Sequence, residues 1–175
     1  MSDLIRPNRR VLVFSAHAAD FCSRAGGTIA RFIDAGSSVH IVAFSYGELC
    51  ESPALWARDP TPSVAEIKQV RAAEIRAATA ILGASAECLD FGDCPLLIGP
   101  ERRQQVLDLF RQHQPDLVMS HWKDDILHPD HCEATDAVIW ASRYCFRPGL
   151  AGESDLPPCP APEVVFYETT LGTAP

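Results

Sequence analysis

At 175 residues, 47% hydrophobic and 22% charged, the chain has the size and make-up of one globular domain, which excludes fibrous and disordered classes. A net charge of -8 offers no positive field to a phosphate backbone, so nucleic acid is excluded as the main partner. A small anionic ligand stays open, because a metal and a few arginines can reverse the sign locally.

The predicted elements alternate along the chain. Residues 10–16 (RVLVFSA) form a short apolar run with β-branched members, the mark of a buried strand. A helix is expected over 26–35, opened by Gly26-Gly27 and stopped at Gly36. A second strand covers 39–45. Residues 62–82 are the clearest helix, with Pro62 and Ser63 at its start, Gly83 after its end, and Val64, Ile67, Val70, Ile75, Ala78 and Leu82 at helical spacing. A strand over 86–91, a helix over 101–113, a strand over 116–121, a helix over 131–144 and a last strand over 163–168 follow. Residues 147–162 (RPGLAGESDLPPCPAP) read as a Pro/Gly-rich loop inside the domain.

Strands alternating with helices imply βαβ units, hence an α/β, Rossmann-like layered fold with a mostly parallel sheet flanked by helices. Ligands in such sheets bind beyond the carboxyl ends of the strands. The polar residues expected there are His17 and Asp20, then Glu48, Asp93, the run His121 to His131, and Glu168. The Gly26-Gly27 pair is no dinucleotide fingerprint, since no GxGxxG follows the strand; close packing of helix on sheet explains it at least as well.

Two segments carry chemistry. His17 and Asp20 follow the first strand, and HPDH (128–131) follows the fourth. Together His17, Asp20 and His131 make a two-histidine, one-carboxylate set, which is how a catalytic zinc is held with positions to spare. Such an ion lowers the pKa of water and polarises a carbonyl or enol oxygen. Another divalent metal would suit the same donors. His40 and His113 read as structural or solvent-facing, and His121 is ambiguous. Seven scattered cysteines without a CxxC pair point to reduced thiols. The N-terminus MSDLIRPNRR lacks the apolar core of a signal peptide, and no apolar run reaches a membrane span. A cytoplasmic protein without membrane contact is expected.

The pattern AHxxDx(5)GG followed by HPDH resembles the PIG-L/LmbE family of zinc-dependent de-N-acetylases, whose hallmark is AHPDDE-x(4)-GG. The resemblance covers roughly residues 10 to 170 and implies one domain over 1–175, although family members usually continue with further structure. It places the metal ligands on His17, Asp20 and His131 and a second active-site histidine on His128, with Asp130 orienting it. Two departures matter. The family's catalytic aspartate is Ala19 here, and the following glutamate is Phe21. Alanine cannot act as a general base.

One branch of the family is similar in this respect. AHxADF, SYGELCESPALW (45–56) and FGDCPL (91–96) resemble the hydratases that add water to 4-carboxy-2-hydroxymuconate, the enol of 4-oxalomesaconate. That resemblance implies a zinc-dependent hydro-lyase acting on a small anionic substrate. Glu48 is then the candidate for acid-base work, with His128 second and Glu168 third. Arg24 is a candidate for a substrate carboxylate and Trp122 for a pocket wall. A homo-oligomer is expected. A deacetylase whose base has moved to Glu48 or Asp125, and a metal-binding protein without catalysis, are the alternatives.

Overall fold

The computed structural model describes residues 4–150 and 154–168; the middle of the Pro/Gly-rich loop and the TTLGTAP tail lie outside them. Five strands, β1 (Arg10–Ser15), β2 (Ser38–Ala43), β3 (Ser85–Cys88), β4 (Leu117–His121) and β5 (Glu163–Tyr167), form one sheet in the order β3-β2-β1-β4-β5. Every pairing is parallel, so the expected layered α/β sheet is present. The helices are α1 (Asp20–Asp34), α2 (Pro53–Trp56), α3 (Val64–Leu82), α4 (Pro100–His113) and α5 (Pro129–Tyr144). Strand residues alternate between the faces. Val11 and Val13 of β1 pack with Phe21, Ala25, Ile29 and Phe32 of α1 and Ile75 of α3. Leu12 and Phe14 pack the other way, with Val106, Leu107 and Phe110 of α4 and Ala134, Ala137 and Val138 of α5.

Order along the sheet matters for function. From β1 the chain first moves outward through β2 to β3, then returns to β4 on the other side of β1. The direction reverses between β1 and β4, and their carboxyl ends open the crevice where such sheets bind ligands. His17 follows β1 by two residues, and His121 ends β4.

Local chemistry explains most boundaries. Ser63 caps α3 through a capping box, its hydroxyl accepting from Glu66 N while Glu66 accepts from Ser63 N at 2.7 Å. Gly83, at φ 78°, closes the helix in the left-handed conformation. The expected start of α1 is wrong. The helix begins at Asp20, and Gly26 and Gly27 lie inside it. The HAAD turn starts it, with Ser23 N bonding Ala19 O at 3.0 Å. Nor does close packing explain the glycines, since an added Cβ at Gly26 would meet nothing nearer than 3.8 Å and at Gly27 nothing within 4 Å. The strand expected over 86–91 ends at Cys88, because Asp90 takes φ 55° and turns the chain. Among the described residues no helix is long and apolar enough to cross a membrane.

A column of aromatic rings anchors the α4/α5 side. Phe14 stacks on Phe44 and on Phe110, each at 5.6 Å between centroids, and all three are fully buried. Phe110→Ala should therefore cost about 3–5 kcal/mol of unfolding free energy. Urea denaturation checks this, with the midpoint falling and the slope unchanged.

Candidate metal centre and its carboxylates

The site is built from four chain segments at the switch point. Beyond β1 the backbone turns sharply, and Asp20, in the first turn of α1, accepts a hydrogen bond from His17 N at 2.8 Å. This ties the strand end to the helix start. Asp20 is 2% exposed. Its carboxylate faces three imidazoles: Oδ2 lies 3.3 Å from His17 Nδ1 and 3.4 Å from His121 Nε2, and Oδ1 lies 3.5 Å from His131 Nε2. The expected set His17, Asp20 and His131 is thus brought together. His131 comes from the first turn of α5, which Pro129 opens.

Each of the two metal-facing histidines is oriented from behind by a carboxylate. His131 Nδ1 meets Asp125 Oδ2 at 2.9 Å, which leaves Nε2 without a hydrogen bond. His17 Nε2 meets Asp130 Oδ2 at 3.1 Å, which leaves Nδ1 without one. Orphaned, buried ring nitrogens beside a buried carboxylate are the donor set of a divalent cation, with the supporting carboxylates that fix tautomer and ring direction. His17, Glu51, His128 and His131 each offer a donor atom within 4.8 Å of the others, and so do Asp20, His121 and His131.

Asp130 is a correction. The sequence reading assigns it to His128, but its two oxygens are taken by His17 Nε2, Cys94 N at 3.0 Å and Leu96 N at 2.8 Å. His128 instead stacks on His131 at 4.0 Å between centroids, and its Nδ1 has no hydrogen-bond partner. Asp93 has a similar clamping task. It accepts from Leu49 N and Cys50 N at 3.1 and 2.9 Å, and so holds the loop after β2 over the site.

That loop brings a further carboxylate to the cluster. Gly47, at φ 65°, brings it against His17, and an added Cβ would stand 3.1 Å from Glu51 Cβ and 3.2 Å from His17 Cβ. Glu51 Oε1 thereby reaches 3.7 Å from His17 Nδ1. Glu48 is also buried, but its Oε1 pairs with Lys68 Nζ at 3.2 Å rather than with an imidazole. Glu51 is the site residue that the sequence analysis missed; it left His121 ambiguous and offered Asp125 only as an alternative base, whereas Asp125 supports His131. The SYGELCES run held the signal for Glu51, since two glutamates follow one glycine there.

The other candidates lie further out. Glu168 is exposed just past β5, and none of the cluster's ion pairs includes it among the described residues. Trp122 is half-buried and packs edge-on against Phe166 at 5.7 Å, so it supports the β4/β5 edge rather than walling the cluster. Arg24 lies exposed on α1, one turn after Asp20.

Charge explains why the centre wants a cation. Burial opposes ionisation of every group here. It lowers His17, but contacts with Asp130, Asp20 and Cys50 outweigh it and raise the imidazole to about 12. Burial raises the Asp20 carboxyl, yet His121, His131 and His17 hold it well below its ordinary value. Glu51 is raised by burial and then by the Asp20 charge, while burial lowers His128 and takes His121 down to about 4. The raised His17 and the lowered Asp20 share one cause, opposite charges packed together out of water.

The chain is similar to known proteins of two activities. Against the "4-oxalmesaconate hydratase" of Pseudomonas putida KT2440 the chain is 40% identical over 147 residues, 82% of this chain and 57% of that one. Against the "Diacetylchitobiose deacetylase" of Thermococcus kodakarensis it is 29% identical over 151 residues, 85% of this chain and 54% of that one. The crystal structure of GalB, the 4-carboxy-2-hydroxymuconate hydratase from Pseudomonas putida KT2440, superposes with a TM-score of 0.82 at 36% identity, covering 88% of this chain and 63% of that one. The chain therefore spans little more than half the length of the curated relatives it matches. Residues 12–142 match the PIG-L family of GlcNAc-PI de-N-acetylases, and the chain belongs to that family.

Proposed function

We propose that the chain is a zinc-dependent hydratase, adding water to a carboxylated muconate of the 4-carboxy-2-hydroxymuconate type to give 4-carboxy-4-hydroxy-2-oxoadipate. One observation carries this reading: the position of the deacetylase base is Ala19, while an intact donor cluster faces a different carboxylate, Glu51, 3.7 Å from His17. The 40% identity to a 4-oxalmesaconate hydratase supports the substrate class.

Zinc would be held by His17 Nδ1, Asp20 and His131 Nε2. Ligands about 2.0–2.2 Å from a tetrahedral zinc stand roughly 3.3–3.6 Å apart, and Asp20 lies 3.3 and 3.5 Å from the two ring nitrogens. Bound there, zinc supplies Lewis acidity that draws electrons from a carbonyl, enol or carboxylate oxygen of the substrate. The protein's own groups move the protons. His128, whose Nδ1 is unpartnered, accepts the proton of water as the water oxygen bonds to the carboxylated carbon of the double bond. Glu51, whose Oε2 makes no hydrogen bond and lies 3.9 Å from the Arg71 guanidinium, delivers a proton to the neighbouring carbon. Glu48 with Lys68 supports the loop behind Glu51. Asp93 and Asp130 fix the loops that close over the crevice, and Arg24 meets a distal carboxylate of the substrate. The reaction belongs in the cytoplasm, consistent with seven unpaired cysteines, and we assign it to a homo-oligomer.

The second reading is a deacetylase with Glu51 as base, favoured by the family's usual activity and the 29% identity to a deacetylase. An assay separates the two. With zinc present, the hydratase removes the conjugated enol absorbance and releases no acetate; acetate released from an N-acetylated sugar, with the enol untouched, would favour the deacetylase. Two sets of variants test the site. Asp20→Asn and His131→Ala should bind no zinc at the centre, and Asp125→Asn and Asp130→Asn should bind it about 10–100-fold more weakly, as read by competition with a chromophoric chelator. Glu51→Gln should lower kcat about 10²–10⁴-fold with zinc retained, and Glu48→Gln should cost much less. The reverse order would move the acid role to Glu48.

A further inference from the structure

The sequence analysis assigns nothing to His40 and His113, yet the fold brings them together around Glu87. His40 lies on β2, Glu87 on the edge strand β3, and His113 is the last residue of α4. His40 is the third residue of β2 and Glu87 the third of β3, on the side of the sheet where α4 ends. His40 and Val42 share a face of β2, and Ser85 and Glu87 share that face of β3, because His40 pairs with Ser85 and Val42 with Glu87 in the parallel register. Val42 belongs to the α4/α5 core, so this is the face that α4 covers. At the β3 margin the helix runs out, and its last side chain reaches over the sheet edge.

The geometry points to a second divalent-cation site, of the zinc type, with His40 Nε2, Glu87 Oε1 and His113 Nε2 as donors. His40 Nε2 lies 3.0 Å and His113 Nε2 3.9 Å from Glu87 Oε1. Tetrahedral zinc spaces its donors roughly 3.3–3.6 Å apart, and the two distances bracket that interval. All three donors lie within 4.8 Å of one another. Two features go beyond proximity. His113 Nε2 is a buried ring nitrogen without a hydrogen bond, too far from Glu87 to make one. His40 Nε2 donates to Glu87 Oε1 at 3.0 Å, a proton that a bound cation would replace, and His40 Nδ1 lies 2.7 Å from Ser85 Oγ, a hydroxyl that donates to it now and can accept from it once Nε2 holds the ion.

The rings stack at 4.2 Å with 20° between planes. To share a cation, one of them tilts about its Cβ–Cγ bond, which is a soft torsion. Two histidines and a glutamate are a known zinc donor set, with the fourth position left for water. The hollow lined by Arg10, Ser38, His40, Ser85 and His113 leaves room for it. The ion would tie the four-residue edge strand β3 to the end of α4, and so guard an edge that the backbone leaves half unpaired. The role is structural and is independent of the proposed reaction.

The test uses zinc alone on the full chain. After removal of metal and equilibration with zinc, the wild type should bind about two ions per chain, His131→Ala about one, and His131→Ala/His113→Ala none. In the His131→Ala background zinc should raise Tm, and His113→Ala or Glu87→Gln should abolish that rise. Ser85→Ala should weaken this site about 10–100-fold. If His131→Ala does not fold, His40→Ala and His113→Ala in the wild type should each reduce stoichiometry from about two to about one, with hydratase activity unchanged. The proposal falls if the His131→Ala protein binds no zinc, or if zinc bound there survives removal of His40 and His113.

Discussion

The Asp20 carboxylate, buried among three imidazoles, is the constraint on which this site depends. A charge taken out of water costs several kcal/mol unless it is compensated where it lies. Asp20 is compensated from three directions, by His17, His121 and His131, and it also accepts the His17 backbone N–H. Asp125 and Asp130 add further negative charge directly behind two of those rings. That much negative charge packed against buried imidazoles favours a cation at the centre. Folding and metal affinity are therefore linked at one atom group, and the chemistry of the site follows from how the fold assembles it.

That assembly requires distant pieces of chain to meet. His17 and Asp20 come from the β1–α1 turn, His121 from the end of β4, and His131 from the start of α5. They meet because the sheet reverses direction between β1 and β4, so that no helix crosses over the crevice between these two strands. Backbone clamps then bring in the loops. Asp93 holds residues 49 and 50, and Asp130 holds residues 94 and 96 while gripping His17. One carboxylate thus links the lid of the crevice to a metal-facing ring. This double duty turns Asp130 toward His17 and the 94–96 backbone.

How much of this was legible in the sequence depends on range. The alternation of strands and helices was readable, because periodicity and caps are local: Ser63 with Glu66, Gly83 and Pro129 all mark their boundaries in the chain. The cluster His17, Asp20 and His131 was readable from two short motifs at strand ends. The start of α1 was not, since a glycine pair signals a helix terminus locally while the stripe Phe21, Ala25, Ile29 and Phe32 decides the matter through tertiary burial. The choice between Glu48 and Glu51 was hidden as well. It turns on the positive φ of Gly47 and on Asp93 holding the loop, neither of which leaves a trace in spacing. The meeting of His40 with His113 depends on where α4 ends over the sheet, a matter of packing alone.

The two departures from the family motif make sense together once their positions are known. Phe21 is fully exposed to the core rather than to substrate: with 0% of its surface accessible, it packs with Ala25 and Ile29 against Val11 and Val13. A glutamate there would place a charge in an apolar layer without a partner. Ala19, half-buried at the cap of α1, leaves Asp20 as the carboxylate of that turn. On the proposed reading, Glu51 on the loop beyond β2 would serve in place of a carboxylate at position 19, so that a proton arrives from another direction while His17, Asp20 and His131 keep their positions. An amide hydrolase needs its base on the side of the attacking water, whereas hydration of a double bond needs proton donor and acceptor arranged about two neighbouring carbons. On that reading the loop held by Asp93 and turned at Gly47 would supply the second arrangement, with the cluster of His17, Asp20 and His131 left in place.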